Sequence, residues 1–169
     1  MDNKKIKHSK VDIDSVVRHF TAIGGEFVTP IRELAAKINN IKAMIFDWDG
    51  VFNDGTKGEQ YSSSFSEADS MGTNMLRYGL WLNTNNMPVT AVISGENNRS
   101  ARQFAQREHF DSVYLGIKDK RIAVNHFCAT HDIRPESVAC IFDDINDLSM
   151  AKICSVRSLV RRSASPLFT

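Results

Sequence analysis

The sequence predicts an α/β fold with a mainly parallel sheet and helices on both faces of that sheet. Short apolar runs, typical of buried strands, alternate along the chain with apolar residues at helical spacing. Residues able to bind phosphate or metal follow the predicted strands, and open parallel sheets bind their ligands at that edge. The length of 169 residues is enough for one such core.

The N-terminal part shows two helical patterns, over residues 11–20 and 31–38, with the pair Gly24-Gly25 between them. Thr29 and Pro30 are suited to be the cap and the first residue of the second helix. We therefore expect residues 1–40 to form a helical extension. The main domain is expected over residues 41–169, with a C-terminus that is short for its class.

Short apolar runs predict four strands of the main domain, at residues 43–46, 89–93, 113–115 and 138–142, and a fifth strand is expected near residues 155–160. Helices are predicted between them, around residues 71–76, 101–105, 122–127 and from 148 onward. The turn-rich stretch 51–65 predicts a β-hairpin that projects from the first strand as a flap. We interpret the methionine and aromatic positions at helical spacing as core.

The composition excludes several classes of function. A net charge of +1 gives no overall attraction to nucleic acid or to an anionic membrane. No apolar run approaches the roughly 18 residues that a membrane span needs. Three cysteines lie in apolar segments without metal-ligand spacing, which favours buried thiols and a reducing, cytoplasmic location.

Two aspartates, Asp47 and Asp49, come directly after the first predicted strand. Carboxylates 4 Å apart repel each other by about 4 kcal/mol at an effective dielectric constant near 20, and a divalent cation would offset that repulsion. On their own, such aspartates are more often helix caps or turn formers.

The ends of the other strands strengthen the chemical interpretation. They are followed by Ser94-Gly95, by Lys118 and Lys120, and by Asp143-Asp144 with Asn146 and Asp147. Each residue alone is explained by capping or by solvation. Together they indicate a phosphate and metal site, because a hydroxyl and an ammonium bind phosphoryl oxygens and carboxylates bind Mg²⁺.

These four motifs, in this order, resemble those of the haloacid dehalogenase (HAD) superfamily, over roughly residues 41–155. The resemblance implies a Rossmann-like fold in which Asp47 is the nucleophile of an aspartyl-phosphate mechanism and Asp49 is the general acid and base. It also implies a phosphate site and a Mg²⁺ site. The phosphate ligands would be Ser94, Gly95 and Lys120, with Lys118 as the competing lysine. The Mg²⁺ ligands would be Asp47, the main-chain carbonyl of Asp49, and Asp143, supported by Asp144, Asn146 and Asp147.

The short spacing between the motifs leaves no room for a cap domain, since about 40 residues separate Asp49 from Ser94. The chain is therefore similar to the small capless branch typified by the 3-deoxy-D-manno-octulosonate 8-phosphate phosphatases. This resemblance implies a homotetramer and a 2-keto sugar acid phosphate as substrate, of the octulosonate 8-phosphate or nonulosonate 9-phosphate type. Glu96 stands where octulosonate phosphatases usually carry arginine, so it is a candidate specificity residue. Phe142 stands where the branch usually has glycine.

An alternative interpretation is a non-catalytic HAD-like module that serves oligomerisation or partner binding. The presence of Asp47, Asp49, Lys120 and Asp143 argues against it.

Overall fold

The computed structural model describes residues 12–58 and 63–161. It divides the chain into two compact units, with the boundary between Ala36 and Lys37. The helices are α1 (Ile13–Ala22), α2 (Ile31–Ile38), α3 (Glu67–Thr84), α4 (Arg99–Arg107), α5 (Lys120–Thr130) and α6 (Leu148–Ala151). The strands are β1 (Ala43–Phe46), β2 (Val89–Ile93), β3 (Ser112–Tyr114), β4 (Val138–Phe142) and β5 (Val156–Leu159).

The two N-terminal helices begin at polar or proline caps. The side chain of Asp12 accepts a hydrogen bond from the Asp14 N–H at 3.1 Å and so caps α1. Pro30 was expected to be the first helical residue of α2, but its carbonyl accepts from the Leu34 N–H at 3.0 Å, so it is the cap. The domain boundary predicted at residue 40 remains a prediction.

The five strands form one parallel sheet in the order β3-β2-β1-β4-β5. The chain therefore moves outward from β1 to β3 and then returns to the other side of β1 with β4. The point between β1 and β4 is a topological switch point, where two neighbouring connections leave in opposite directions and open a crevice at the carboxyl ends of the strands.

Helices cover both faces of the sheet, as the sequence predicts. Along β1 the side chains alternate, so that Ala43 and Ile45 join one apolar cluster while Met44 and Phe46 join the other. The first cluster is completed by residues of α5 and α6, such as Phe127 and Met150. The second is completed by α4 residues, led by Phe104, and by partly buried Leu80 of α3.

The predicted β-hairpin is not formed in the part of the stretch that the structure describes. Residues 51–58 and 63–66 are turns and irregular segments without strand pairing, and residues 59–62 lie outside the described residues. Side chains replace the strand ladder here. The side-chain Oδ1 of Asn53 accepts from the N–H groups of Gly50 (3.2 Å) and Gly55 (3.0 Å), and Phe52 is buried beside Trp48.

The interpretation of the α3 methionines as core is wrong. Met71 and Met75 are each 66% exposed, and Leu76 and Tyr78 are each 52% exposed. The helix is buried along another side, through residues such as Ser70 and Thr73. None of the described helices is both long and apolar enough to cross a membrane.

Candidate active site at the carboxyl edge of the sheet

The candidate site lies at the carboxyl ends of β1 and β4, which are neighbours in the sheet. Asp47 directly follows β1, and Asp143 directly follows β4. A cavity of about 500 Å³ opens at this edge, and both aspartates line it together with Lys120. The strand order thus brings together residues that are almost 100 positions apart in the chain.

The floor of the site is a buried ion-pair group. The Lys120 ammonium contacts both the Asp47 and the Asp147 carboxylates through their Oδ1 atoms. Asp47 is 6% exposed, Lys120 4% and Asp147 only 1%. Lys120 is placed there because α5 begins at that residue, after Asp119 caps the helix by accepting from the Arg121 N–H at 3.1 Å.

Burial and crowded charge alter the acidity of these groups. Burial raises the pKa of Asp47 to about 7, with the Asp147 charge acting in the same direction and Lys120 opposing it. Burial works to lower the pKa of Lys120, but the two carboxylates outweigh it and the pKa is raised. The pKa of Asp143 is also raised, first by burial and then by the charges of Asp147 and Asp144. One lysine therefore does not balance the acids of this site.

The donor set fits a divalent cation. Ligand oxygens of Asp47, Asp143 and Asp147 lie within 4.8 Å of one another, and hard carboxylate oxygens suit Mg²⁺. Asp147 Oδ2 is buried, and none of the described residues donates a hydrogen bond to it. A buried carboxylate oxygen without a donor is costly unless a cation or an ordered water satisfies it. The sequence assigned Asp147 a supporting role, whereas the structure places it within the carboxylate group itself.

Gly50 shapes the metal-binding side of the site. Its φ of +83° is a conformation that favours glycine, and a Cβ atom there would lie 1.7 Å from Asp143 Oδ2. The backbone after Asp49 can therefore approach the Asp143 carboxylate only because position 50 has no side chain. The predicted role of the Asp49 main-chain carbonyl as a metal ligand remains a prediction.

Asp49 stands at the rim of the cavity, with its side chain about one quarter exposed. Its Oδ1 atom accepts a hydrogen bond from Ser63 Oγ and forms an ion pair with Lys57 Nζ at 2.5 Å. Asp47 and Asp49 therefore differ in surroundings, since one is buried against Lys120 and the other is reachable from the cavity. That division suits a nucleophile and an acid–base group.

The predicted phosphate ligands are placed unequally. Gly95 lines the cavity, while Ser94 is fully buried and its Oγ accepts from the Glu96 N–H at 3.2 Å. Glu96 also lines the cavity and forms an ion pair with Lys118 at 2.7 Å. Lys118 thus pairs with the candidate specificity residue at the rim, and Lys120 is the lysine that reaches Asp47.

The remaining predicted residues lie around the acidic loop after β4. Asp144 and Asn146 line the cavity, and the Asn146 amide donates to Asp144 Oδ2 at 2.8 Å. Phe142 is 6% exposed and packs in the apolar cluster under α5 and α6. Phe142 is not among the described residues that line the cavity, so the apolar core accommodates its side chain.

Sequence reasoning missed Lys57, which lines the cavity, and three buried residues behind Asp49, namely Ser63, Trp48 and Asn98. Lys57 and Ser63 lie in the stretch that was predicted to be a hairpin, where strand pairing would have directed their side chains differently. Asn98 carries a weak signal, because it precedes a helical pattern and does cap α4, accepting from the Ser100 N–H at 2.9 Å.

Comparison with known proteins finds the same superfamily that the sequence motifs resemble. In sequence and fold the chain is similar to the haloacid dehalogenase superfamily. It carries the parallel sheet of that superfamily, and no cap domain is evident among the described residues. No protein-family model matches the chain.

Several of the relatives are named as octulosonate 8-phosphate phosphatases. The chain is 32% identical over 113 residues to the 3-deoxy-D-manno-octulosonate 8-phosphate phosphatase of Yersinia pestis; the match covers 64% of this chain and 56% of that relative. The cobalt-bound deoxy-D-mannose-octulosonate 8-phosphate phosphatase of Haemophilus influenzae is 27% identical with a TM-score of 0.62, over 72% of this chain and 69% of the other. A crystal structure of the Yersinia pestis phosphatase is 26% identical with a TM-score of 0.63, over 74% of this chain and 66% of the other. The chain thus spans little more than half the length of the curated relative.

Proposed function

We propose that the chain is a Mg²⁺-dependent phosphomonoesterase that hydrolyses a small sugar phosphate through an aspartyl-phosphate on Asp47. The observation that carries the proposal is the group formed by buried Asp47, Lys120 and Asp147 with half-buried Asp143, at the switch point of the sheet. Burying several charges costs several kcal/mol per ion, so a fold keeps such a group where it binds a charged ligand or performs chemistry.

The proposed first step uses Asp47 and Asp49 on the two sides of the phosphorus atom. A carboxylate oxygen of Asp47 forms a bond to phosphorus while the bond from phosphorus to the sugar oxygen breaks, and Asp49 gives a proton to that oxygen. Lys120 keeps the Asp47 oxygen in place and balances part of the negative charge. A bound Mg²⁺ would supply positive charge that lets an anionic nucleophile approach an anionic phosphate.

In the second step water replaces the sugar. Asp49, now a carboxylate, takes a proton from a water molecule, whose oxygen bonds to phosphorus as the bond between Asp47 and phosphorus breaks. Phosphate leaves, and both aspartates return to their starting forms. The exposed rim position of Asp49 is suited to meet first the leaving group and then the water.

For the substrate we propose a 2-keto sugar acid phosphate of the octulosonate 8-phosphate or nonulosonate 9-phosphate type. The relatives named as octulosonate phosphatases support this class. The rim of the cavity adds a charged pair, Glu96 with Lys118, that suits a substrate carrying hydroxyl and carboxylate groups.

The test is Mg²⁺-dependent phosphate release over a panel that contains both sugar acid phosphates and common hexose phosphates, with Asp47→Asn as the control. We expect release by the wild type that EDTA abolishes and that falls by about 10³-fold or more in Asp47→Asn. A folded wild type that releases no phosphate from any ester would contradict the enzyme proposal and favour the non-catalytic module. Release that is unchanged in Asp47→Asn would reject the assigned nucleophile.

We also propose that the chain acts as a homotetramer in the cytoplasm. Exposed apolar side chains on α3, with Met71 and Met75 the most exposed, support burial of that helix face against another subunit. Three free, buried cysteines support a reducing compartment. Sedimentation should show a tetramer that Met75→Glu weakens and that Met87→Glu, on an exposed methionine outside α3, leaves intact. A wild-type monomer at micromolar concentration would contradict the assembly.

A further inference from the structure

Ser63 is the centre of a buried hydrogen-bond group behind Asp49. It is 2% exposed, and its Oγ accepts from Trp48 Nε1 at 3.0 Å and from Asn98 Nδ2 at 2.8 Å. The same oxygen donates to Asp49 Oδ1. Trp48 and Asn98 are themselves buried, at 0% and 2% exposure, so water does not compete for these contacts.

The direction of each hydrogen bond in this group is determined by chemistry. An indole N–H and an amide NH₂ are donors only, and a hydroxyl has one proton and two lone pairs. The Asn98 amide cannot be turned round, because its Oδ1 accepts from the N–H groups of Ser100 (2.9 Å) and Ala101 (3.4 Å) at the start of α4. Both lone pairs of Ser63 are therefore used, and its one proton is directed to Asp49.

The contacts of Asp49 are one-sided. Both of its contacts that the structure describes, with Ser63 Oγ and with Lys57 Nζ, use Oδ1. Asp49 lines the cavity. Holding one oxygen from behind leaves Oδ2 as the oxygen for proton transfer.

We propose that Ser63 is a positioning residue, which holds Asp49 by Oδ1 so that Oδ2 exchanges the proton with the leaving oxygen and then with water. This inference rests on the proposed phosphatase function. Trp48 and the α4 cap of Asn98 act through Ser63, because they orient its hydroxyl. The orientation of the Asp49 carboxyl group thus depends on the N-terminus of α4, which lies in the connection between β2 and β3.

The test compares two esters that differ in their need for an acid. An alkyl leaving group such as that of 3-deoxy-D-manno-octulosonate 8-phosphate must be protonated as it departs, whereas p-nitrophenolate departs as a stable anion. The parameter kcat/KM covers the steps up to departure of the leaving group, so the later attack of water does not enter the comparison.

Ser63→Ala should lower kcat/KM for the sugar phosphate by about tenfold or more, which is part of the roughly 10²–10⁴-fold that a general acid contributes. For p-nitrophenyl phosphate the change should stay within about threefold. Ser64→Ala is the matched control, since it makes the same chemical change at an exposed neighbour on the same segment. It should leave both esters unchanged.

Asn98→Asp tests the direction of the hydrogen bond. The carboxylate still caps α4 but accepts from Ser63, so the hydroxyl turns away from Asp49. The same selective loss as in Ser63→Ala is expected, although the hydroxyl and the cap both remain. Equal losses on the two esters in both variants, with unchanged melting temperatures, would overturn the positioning role.

The hydrogen bonds that run from Trp48 and Asn98 through Ser63 to Asp49 form a relay. A spectroscopic measurement tests this relay without turnover, and so it distinguishes failure of the relay from failure of the proposed function. The chain has two tryptophans, so the indole N–H resonance of Trp48 is assigned by comparison with Trp81→Phe. Asp49→Asn should shift the Trp48 resonance through Ser63, and Ser64→Ala should not. A Trp48 resonance that is insensitive to both Asp49→Asn and Ser63→Ala would overturn the relay. Absence of phosphate release with an intact relay would count against the phosphatase and its positioning residue.

Discussion

The two ends of the parallel sheet carry very different cavities. The larger, about 790 Å³, lies at the amino ends of the strands, where its basic side chains Lys42 and Arg134 are exposed. The smaller, about 500 Å³, lies at the carboxyl ends and is lined by buried Asp47, Lys120 and Asp147. Exposed charges cost little to maintain, whereas buried ions cost several kcal/mol each unless they are compensated. Buried charge, and not cavity size, therefore indicates that the smaller cavity is the proposed active site.

The largest difference between the two ends of the sheet is expected in phosphate release when one lysine is removed at each end. Lys120→Met should lower phosphate release by about 10²-fold or more, because Asp47 and Asp147 lose their shared cation. Lys42→Met removes an exposed charge at the other end and should change stability by no more than about 0.5 kcal/mol. Phosphate release and thermal melting measure both variants. Equal losses of activity in the two would remove the distinction between the ends.

A smaller effect is expected from Gly50→Ala, which tests the close approach to Asp143. The new Cβ atom cannot lie 1.7 Å from Asp143 Oδ2, so the carboxylate must move, and Mg²⁺ affinity should fall by about 10–100-fold. Gly55→Ala is the matched control: its φ is +80°, but a Cβ atom there meets nothing within 4 Å. It should cost about 1–2 kcal/mol of backbone strain and leave Mg²⁺ affinity unchanged. Titration calorimetry with Mg²⁺ distinguishes the clash from the strain.

The smallest effect on phosphate release is expected from a change at Glu108, a buried carboxylate whose contacts are with structural residues. Burial alone would raise its pKa, but hydrogen bonds from Ser70 and Asn74, each 2.7 Å, and the charge of Arg107 lower it. Because its pKa is lowered, ionised Glu108 stabilises the fold at pH values above its ordinary pKa of 4.5. This contribution is lost as the pH falls through the folded-state pKa.

Glu108→Gln should therefore lower the free energy of unfolding by about 1–3 kcal/mol at pH 7, with a smaller difference from wild type at pH 3. Urea unfolding at the two pH values measures this, and phosphate release should not change. A loss of stability that is independent of pH would show that ionised Glu108 is not what stabilises the junction of α3 and α4. The contrast with Asp47 and Asp143, whose pKa values are raised, separates structural acids from site acids.

Much of the fold was predictable because its signals are local. The apolar runs that end in Asp47, Ser94 and Asp143 are buried strands, and the parallel order brings their ends to one edge. The helix caps Asp119 and Asn98 are polar residues at helix starts, which physical chemistry favours regardless of tertiary context.

The remainder depends on contacts between distant segments. Helical spacing shows that α3 has apolar residues, but not which side of the helix the protein covers, so Met71 and Met75 were misplaced. The stretch after β1 has turn formers that suit a hairpin equally well, and only burial of Phe52 and the Ser63 contacts decide otherwise. Similarly, Asp147 joins the carboxylate group through the short turn after β4, which spacing alone does not reveal.

The central claim is that Asp47 carries the phosphoryl group during turnover. Wild-type protein with Mg²⁺ and the best ester of the panel is quenched in acid during turnover and treated with borohydride, which reduces an acyl phosphate to an alcohol. Peptide mass spectrometry then locates the change. We predict homoserine at position 47 and at no other aspartate. Phosphate release that continues while Asp47 stays unmodified, or reduction at Asp49 or Asp143 instead, would contradict the account.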